Sequence, residues 1–378
     1  METIEGRVLT LRDLGGILFI KILTDNQKIE LVCRKDMVKA ESLSEIKRIR
    51  NNDFCCFQII KDEEERIITD LVSKIGKIYD NSWTEDEVDI VRAYAYVVGK
   101  IREYLTNHGF LEVRLPSIHY GEQKQDAFHF EFFNQPARLT SSNAMFLNAY
   151  AVQIAKVFTI QKCFRAEPSH TNRHLAEFDM LEVAILNKDL PECMTELEKM
   201  IKYVVDHLNQ CPFKGMLHID AEAILNNDFP IVEYKDVAEQ YEIDGAGLGK
   251  YERIIAKEEP VFVKHYPQGV ASWMAKPYDA KYTLSFNLLV PDVGELVEGN
   301  EKQTDISLLR QKIKRAGMAK QLGWYPEMMP YSGFKLSGFG MGIERLVMWL
   351  LGLKNIRSVH QFYRDKGFSE ISTLDDGV

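Results

Sequence analysis

Residues 164–178, FRAEPSHTNRHLAEF, decide how the rest of this chain is interpreted. They contain two arginines, two glutamates, two histidines and two phenylalanines between two strand-like segments, VFTIQKCF and FDMLEVAIL. A purely structural hairpin has little need for so many charges beside aromatic rings. Arginine forks bind phosphate, and an aromatic face stacks on a base. The stretch therefore predicts a site for a polyanion that carries a flat ring.

A second glycine-rich stretch, GFGMGIER, places glycines at Gly338, Gly340 and Gly342. This spacing is not the dinucleotide fingerprint, and the chain has no G-x-x-x-x-G-K-[ST] loop. Alternating glycines before an apolar helix have two interpretations. They either let strand and helix pack closely, or they let the backbone approach a nucleotide.

Composition limits the class of protein. The chain has 378 residues with 46% hydrophobic content, and its 47 Lys+Arg against 56 Asp+Glu give a net charge of −9. These values are typical of a globular protein of two or three domains, and they exclude one that coats nucleic acid through overall positive charge. A local basic groove for one RNA stays compatible with this charge. The chain shows no apolar run of about 20 residues and no signal-peptide pattern at its start, so we expect a cytoplasmic protein without a membrane span.

The cysteines and histidines do not predict a metal site. The six cysteines form no C-x-x-C pair, so free thiols in a reducing compartment are the better interpretation. His170 and His174 are four residues apart, but no H-E-x-x-H motif surrounds them.

The N-terminal residues 1–80 contain five short strand patterns separated by turn residues, which predicts a small barrel of the OB type. Such barrels often bind single-stranded nucleic acid through basic and aromatic side chains. Candidates for that role are Arg12, Phe19, Lys21, Arg34 and Phe57. The alternative is a structural barrel whose aromatic residues belong to its core.

Residues 84–378 are predicted to form one α+β domain, after a linker at about residues 79–84. Thr84 and Glu87 match a capping box, and Gly109 is placed to end the helix that follows. A second helix is predicted at about 191–208, and antiparallel strands at FHFEFF, ARLTSS, VFTIQKCFRAE and FDMLEVAIL. The predicted apolar stripe of the first helix is Val88, Val91, Ala95, Val98, Ile101 and Leu105, and that of the second is Met194, Leu197, Ile201, Val204 and Leu208.

Three segments together resemble a known family. HGFLEVRLPSI (108–118), FRAEPSHTNRHLAEF (164–178) and GFGMGIERLVMWLLGLKNIR (338–357) are similar to motifs 1, 2 and 3 of the class II aminoacyl-tRNA synthetases. The residues within these motifs resemble those of the aspartyl and asparaginyl branch, which carries an N-terminal anticodon-binding OB-fold. EPVFVKHYP (259–267) and FNLLVPDVGELVEGN (286–300) resemble the asparaginyl enzymes most.

The resemblance implies a set of roles at the ATP end of the site, with ATP and Mg²⁺ as cofactors. Arg165 would hold the α-phosphate, Glu167 would face the adenine and Phe178 would stack on it. Arg345 would hold the γ-phosphate, and Glu295 would bind Mg²⁺ with Asn287 beside it. The remaining residues implied near the nucleotide are His174, Leu175, Gly338, Gly340 and Gly342.

On the amino-acid side the chain departs from the family pattern. Ala144, two residues after Ser142, replaces the glutamine that holds the substrate's amino group. Lys302 replaces the basic residue for the substrate side chain, and a lysine is a point charge where arginine is a fork. Further departures are His265 in the Tyr-Pro strand, Leu336 before the glycines, Asn287 in place of an aspartate, and Glu30 in place of the glutamine that helps to read the anticodon.

The resemblance implies ATP-dependent activation of a small amino acid, asparagine or aspartate, followed by transfer to tRNA. Motif 1 implies a homodimer. Because the changes fall on the substrate side, a paralogue that passes the acyl-adenylate to ammonia or another amine stays an alternative. A non-catalytic RNA- or protein-binding module is a third, and the intact Arg165, Glu295 and Arg345 argue against it.

Overall fold

The computed structural model describes residues 2–25, 27–62, 65–75, 84–120, 126–167, 171–245, 247–315, 317–329 and 333–365. The chain divides into two compact units, Met1–Asp89 and Ile90–Val378. Residues 79–83 of the predicted linker, and His170, lie outside the described residues.

The first unit is a closed five-stranded barrel, as predicted. Its elements are β1 (Glu2–Asp13), β2 (Ile17–Thr24), β3 (Gln27–Arg34), α1 (Ala40–Ile46), β4 (Phe54–Asp62) and β5 (Glu65–Ile75). The strands close in the order β1-β2-β3-β5-β4. Alternate residues of β2, Leu18, Ile20 and Ile22, are fully buried inside, because successive side chains of a strand point to opposite faces.

The remaining elements extend from the capping box to the C-terminal part of the chain. The strands are β6 (Leu111–Glu112), β7 (Ile118–Tyr120), β8 (His129–Phe132), β9 (Gln135–Leu139), β10 (Lys156–Phe164), β11 (Glu177–Leu186), β12 (Ile231–Glu233), β13 (Val261–Lys264), β14 (Ser285–Val290), β15 (Gly294–Glu301) and β16 (Leu336–Gly342). The α-helices are α2 (Glu85–Asn107), α3 (Ala144–Ile154), α4 (Leu190–Asn209), α5 (Ala221–Asn226), α6 (Tyr234–Gln240), α7 (Glu252–Ile255), α8 (Ile306–Arg315), α9 (Ala319–Leu322), α10 (Trp324–Glu327) and α11 (Ile343–Leu350). Single 3₁₀ turns occur at Lys214–Met216, Gly249–Tyr251 and Ile356–Val359.

An eight-stranded sheet organises the second unit, in the order β12-β13-β14-β15-β16-β11-β10-β6. Its central pairs, β14·β15, β15·β16, β16·β11 and β11·β10, are antiparallel. The strands β7, β9 and β8 form a separate small sheet. The predicted α+β class and the antiparallel sheet of the second unit are confirmed.

The helices cover the sheet through apolar faces. The predicted capping box is present, since Glu87 N–H donates to Thr84 Oγ1 at 3.2 Å and Thr84 N–H donates to Glu87 Oε2 at 2.6 Å. Gly109, at φ +81°, follows the end of α2, and α4 buries all five residues of its predicted stripe.

The predicted stripe of α2 is partly wrong. The face of α2 that enters the core carries Ile90, Ala93, Val97, Ile101, Tyr104 and Leu105. Ala95 is exposed, and Val91 and Val98 are only half-buried. The helix has apolar residues on two faces, and periodicity alone did not separate the face that meets the sheet from its neighbour.

All six cysteines are free, as predicted. Within the described ranges, we find no helix with the length and apolar content needed to traverse a bilayer.

Candidate functional site

A cavity of about 430 Å³ opens on one face of the large sheet. Strands β11, β15 and β16 form its floor, and the start of α3 and the start of α11 contribute to its walls. Twelve predicted site residues line it: Ser142, Ala144, Arg165, Glu167, His174, Leu175, Phe178, Glu295, Lys302, Gly340, Gly342 and Arg345. We call the part of the cavity lined by Arg165, Arg173, Phe178, Glu295 and Arg345 the arginine end, and the part lined by Ser142, Glu182, Glu298, Asn300 and Lys302 the lysine end.

At the arginine end, Arg165 lies next to Phe178. The Arg165 guanidinium carbon is 5.3 Å from the centre of the Phe178 ring, a cation–π distance. Glu167 carries an oxygen 3.9 Å from the same guanidinium. Arg165 and Phe178 come together because β10 and β11 form a hairpin, in which Cys163 pairs with Phe178 and Phe164 with Glu177. The hairpin thus presents a planar cation and a flat ring to the same space, as the sequence predicts.

Arg345 and Glu295 meet across the cavity floor. Arg345 Nη1 donates to the backbone carbonyl of Glu295 at 2.9 Å and lies 3.4 Å from its carboxylate. Burial raises the pKa of Glu295, and the charge of Arg345 acts in the opposite direction. Asn287 Nδ2 donates to the other carboxylate oxygen at 2.9 Å. Asn287 is not among the lining residues, and its amide orients the Glu295 carboxylate.

Sequence reasoning missed a second arginine–carboxylate pair at this end. Arg173 Nη1 donates to Glu252 Oε2 at 2.6 Å and to the Val293 carbonyl at 3.0 Å. The same Glu252 oxygen accepts from the backbone N–H of Glu295 at 3.2 Å. Gly294 makes this arrangement possible, since it has φ +82° and a Cβ there would come within 2.7 Å of both Arg173 and Glu252. Glu252 is distant in sequence and lies in no motif, so no signal pointed to it.

His174 stands among the arginines as a neutral ring. Its Nδ1 is hydrogen-bonded to Thr171 Oγ1. Burial, followed by the charges of Arg345, Arg173 and Arg165, lowers the pKa of His174 to about 4. At neutral pH the imidazole therefore adds no charge to the arginine end.

The lysine end is built around a buried carboxylate. Glu182 is 4% exposed, and it accepts from Ser142 Oγ at 2.5 Å and from the Asn143 backbone N–H at 2.8 Å. Burial raises the pKa of Glu182 and lowers that of Lys302. Ala144 presents only its methyl group to the cavity. Glu182 lies in β11 two residues beyond Met180, and the strand periodicity after Phe178 could have identified it.

Three predicted residues besides Asn287 do not line the cavity. His265 stacks on Tyr278 with ring centres 4.0 Å apart, and its Nδ1 lies 2.8 Å from Glu233 Oε2. Leu336 is fully buried in an apolar cluster. Gly338 serves strand packing, because a Cβ there would come within 2.2 Å of the Val183 carbonyl oxygen. Of the two interpretations of the glycines, close packing thus holds for Gly338.

Gly340 and Gly342 differ from Gly338. A Cβ on Gly340 would come no closer than 3.7 Å to atoms beyond its chain neighbours, and one on Gly342 no closer than 3.8 Å. Both glycines line the cavity. The packing of the protein does not require glycine at either position, so their missing side chains leave space in the cavity itself.

A buried polar cluster fixes the helix that carries Arg345. Glu344 is 1% exposed, and it accepts from the Asp179 backbone N–H at 2.8 Å and lies 3.1 Å from His360 Nε2. Tyr94 donates to the Asp179 carboxylate at 2.5 Å, and Lys162 pairs with it at 3.2 Å. Ligand atoms of Asp179, Glu344 and His360 come within 4.8 Å of one another. Since these groups already bond to each other, the cluster holds the start of α11 against β11.

The predicted nucleic-acid residues of the barrel lie together. Arg12 pairs with Phe19 between β1 and β2, and Lys21 pairs with Glu30 between β2 and β3. Phe19 and Lys21 alternate with the buried residues of β2, so all four lie on the outer face. Phe57, by contrast, is fully buried in the barrel core, and the alternative interpretation is correct for that aromatic residue.

Comparison with known proteins gives one family. A family model described as tRNA synthetases class II (D, K and N) matches residues 78–366. The asparagine–tRNA ligase of Clostridium tetani is 32% identical over 282 residues, which cover 68% of this chain and 61% of that protein. The asparagine–tRNA ligase of Desulfotalea psychrophila is 30% identical over 305 residues, or 71% of this chain and 68% of that protein. The aligned region therefore spans about three fifths of the Clostridium tetani relative.

Solved structures agree with these relatives. The asparaginyl-tRNA synthetase from Pyrococcus horikoshii, complexed with asparaginyl-adenylate, is 26% identical with a TM-score of 0.84, covering 97% of this chain and 95% of that one. The asparaginyl-tRNA synthetase of Entamoeba histolytica is 22% identical with a TM-score of 0.80, covering 96% and 95%. The second likeness concerns the fold alone.

Proposed function

The chain belongs to the class II tRNA synthetases of the D, K and N type, and on that premise we propose that it activates asparagine with ATP and transfers the asparaginyl group to tRNA. This proposal rests mainly on one observation. The same cavity has two arginines and a phenylalanine at one end and a buried lysine with a buried glutamate at the other. The Pyrococcus horikoshii protein, which holds asparaginyl-adenylate, supports the same substrate pair.

The arginine end suits the nucleotide. Adenine stacks on Phe178, while Arg165 and Arg345 hold phosphate oxygens through their planar donors. The asparagine α-carboxylate oxygen attacks the α-phosphorus, the bond to the β-phosphate oxygen breaks, and pyrophosphate leaves. The two guanidiniums stabilise the charge that develops on the phosphate oxygens, and positioning supplies the rest of the rate without a protein nucleophile.

Glu295 fits a Mg²⁺ ion that accompanies the nucleotide. Mg²⁺ is commonly bound by one or two carboxylates together with phosphate oxygens, and Glu295 faces the cavity beside Arg345. When bound, the ion would neutralise phosphate charge. Asn287 holds the Glu295 carboxylate in place through its amide.

The lysine end suits the amino acid. Lys302 donates to the side-chain carbonyl oxygen of asparagine, and Asn300, near the end of β15, lines the same cavity two residues earlier in the chain. In the second half-reaction a ribose hydroxyl at the 3′ end of tRNA attacks the acyl carbon and AMP leaves. The products are asparaginyl-tRNA and AMP.

Two further parts of the proposal concern partners. Phe19 on the outer face of the barrel stacks on a base of the tRNA, with Arg12 and Lys21 supplying positive charge. A second copy of the chain covers the apolar side of α2 that includes the exposed Ala95 and the half-buried Val91 and Val98.

The test is ATP–pyrophosphate exchange with each of the twenty amino acids and Mg²⁺, followed by charging of total tRNA with the labelled amino acid that exchanges. We expect exchange with asparagine and label on tRNA. Exchange with aspartate but not asparagine would overturn the proposed substrate. Exchange without labelled tRNA would overturn the acceptor and favour transfer to ammonia or another amine.

A further inference from the structure

Three neighbouring strands place two carboxylates on either side of a glycine. Glu182 of β11 pairs with Gly340 of β16, and Gly340 pairs in turn with Glu298 of β15. Directly paired residues of a sheet point to the same face, so both carboxylates stand on the cavity side. Their strands are two strand spacings, roughly 9.5 Å, apart. Because Gly340 has no side chain, the space between the two carboxylates is open.

The two carboxylates differ in burial and in their hydrogen-bond partners. Glu182 is buried and accepts from Ser142 and from the backbone of Asn143. Glu298 is exposed to the cavity that it lines. Among the residues that the structure describes, none makes a hydrogen bond or ion pair with its carboxylate. Within the described residues, the Glu298 carboxylate on the wall opposite Glu182 is thus available to a cationic ligand.

Two buried polar groups next to Glu298 indicate independently that a ligand belongs here. Asn300 and Lys302 follow Glu298 at two-residue intervals and line the same cavity. They are only 4% and 5% exposed. Asn300 Oδ1 has no hydrogen-bond partner, and within the described part of the chain the Lys302 ammonium has neither a hydrogen bond nor an ion pair. Since a buried charge or carbonyl without a partner is costly, a ligand is expected to supply the missing partners.

The side chain at position 144 offers no hydrogen-bond acceptor for the amino group of a substrate. The family pattern has a glutamine there for the amino group of the substrate, and the methyl group of Ala144 accepts no hydrogen bond. Ala144 lines the same cavity as Glu298.

We propose that Glu298, facing Glu182 across Gly340, binds the α-ammonium group of the substrate in place of the missing side chain at position 144. This assignment rests on the proposed function and extends it to the recognition of the amino group. The ammonium lies over Gly340, the α-carboxylate points to Arg165, and the side chain runs along Asn300 to Lys302.

Charge balance extends the inference to the substrate class. The lysine end holds two carboxylates and one ammonium, and an α-ammonium from the substrate balances them. An uncharged side chain such as a carboxamide keeps that balance, whereas a side-chain carboxylate adds a negative charge beside Glu182 and Glu298. The cavity therefore favours an α-amino acid with a neutral, hydrogen-bonding side chain.

The test compares asparagine with succinamic acid, which is asparagine without its amino group. Both are measured in ATP–pyrophosphate exchange, with succinamic acid scored as a substrate or as a competitive inhibitor. In the Glu298→Gln variant we expect kcat/KM for asparagine to fall about 100-fold, mainly through KM, as for loss of one partner of a charge pair that becomes buried when the substrate binds. The constant for succinamic acid and the KM for ATP should change less than about twofold. Glu298→Asp keeps the charge and should recover part of the loss.

The outcomes separate this inference from the proposed function. If Glu298→Gln weakens asparagine and succinamic acid equally, or leaves the KM for asparagine unchanged while the melting temperature is that of the wild type, the role of Glu298 is overturned. If the wild type exchanges another α-amino acid instead of asparagine, the proposed substrate fails, and the same variant is tested with that amino acid and its deamino counterpart. Preference of the wild type for an acid without an amino group would overturn the role of Glu298 directly, and exchange with no acid at all would overturn both.

Discussion

The two ends of the cavity differ in how their charges are held. At the arginine end, Arg345 lies against Glu295 and Arg173 against Glu252. At the lysine end, Lys302 and Glu298 are held by no partner among the described residues, and Asn300 Oδ1 is unsatisfied. Ala144 and Lys302, two departures from the family pattern, line the cavity at the second end. On the proposed function, the protein prepares its own electrostatics for the nucleotide, whereas the amino acid completes those of its pocket.

This difference has an energetic consequence. A preorganised site costs little reorganisation when the phosphate enters, so loss of one arginine removes transition-state stabilisation directly. An incomplete pocket discriminates between ligands by which buried groups each one leaves unpaired. Substitutions at the two ends should therefore change different kinetic constants.

The largest effect is expected from Arg345→Ala. It removes a guanidinium that we place on the phosphates and leaves Glu295 without its partner, so ATP–pyrophosphate exchange should fall about 10³-fold or more, the range known for arginines that stabilise phosphoryl transfer. The loss should appear with every amino acid tested, because it belongs to the nucleotide half of the reaction.

Arg310→Ala is the matched control, since Arg310 is an exposed arginine of α8 that pairs with Glu327 on the surface. Its exchange should equal that of the wild type. Comparable melting curves for the two variants would exclude unfolding as the cause. Exchange by Arg345→Ala within tenfold of the wild type would contradict the assignment of the arginine end.

A smaller effect is expected from Gly340→Ala, and it contrasts with Gly338→Ala. The Cβ at Gly340 meets no neighbour closer than 3.7 Å, but it enters the space between Glu182 and Glu298. Gly340→Ala should therefore fold normally and raise the KM for the amino acid about 10- to 100-fold, with the KM for ATP less affected.

Gly338→Ala should give the opposite result. Its Cβ would lie 2.2 Å from the Val183 carbonyl oxygen, so strands β11 and β16 would have to separate, at a cost of about 1–3 kcal/mol or more in the free energy of unfolding. Chemical denaturation measures that cost. If both variants lost stability equally, the floor of the cavity would not have the open gap that we assign to it.

Local patterns in the sequence were sufficient for much of the fold. The five short strand patterns and their turn residues in residues 1–80 predicted the closed barrel, and the Thr84 capping box predicted the start of α2, because both depend on neighbours a few residues apart. The face of α2 was the exception. Ala95 and Ala93 are equally apolar, and only the position of the sheet decides which of them is buried.

The candidate site divides in the same way. Residues inside motifs, such as Arg165 and Phe178, were predicted and line the cavity. Glu252 was missed because it reaches Arg173 through tertiary contact alone. Glu298 was missed because its importance depends on pairing through Gly340 to Glu182, which no local pattern reveals. The family resemblance assigned His265 to the pocket. In the structure its backbone is left-handed, at φ +60°, and its ring stacks on Tyr278.

The smallest effect is expected in the pH dependence of stability, through the protonation of His174. Its pKa is lowered to about 4 by burial and by the charges of three arginines. The unfolded chain binds a proton at about pH 6.5 that the folded chain does not take up until about pH 4. The contribution of His174 to stability is therefore complete above pH 6.5 and is lost as the pH falls to 4. Relative to His174→Gln, the wild type should lose about 2–3 kcal/mol in the free energy of unfolding across that window.

Ligands should act on this histidine differently. ATP brings phosphate charge to Arg165, Arg173 and Arg345, so it should raise the pKa of His174 by about one unit or more. Asparagine alone brings a single α-carboxylate charge towards Arg165 and should raise that pKa by much less than ATP does. Proton NMR of the histidine ring, assigned with His174→Gln, measures both. A pKa near 6.5 in the free protein would remove the electrostatic basis of the arginine end, and an equal response to both ligands would mean that the two ends are not electrostatically separate.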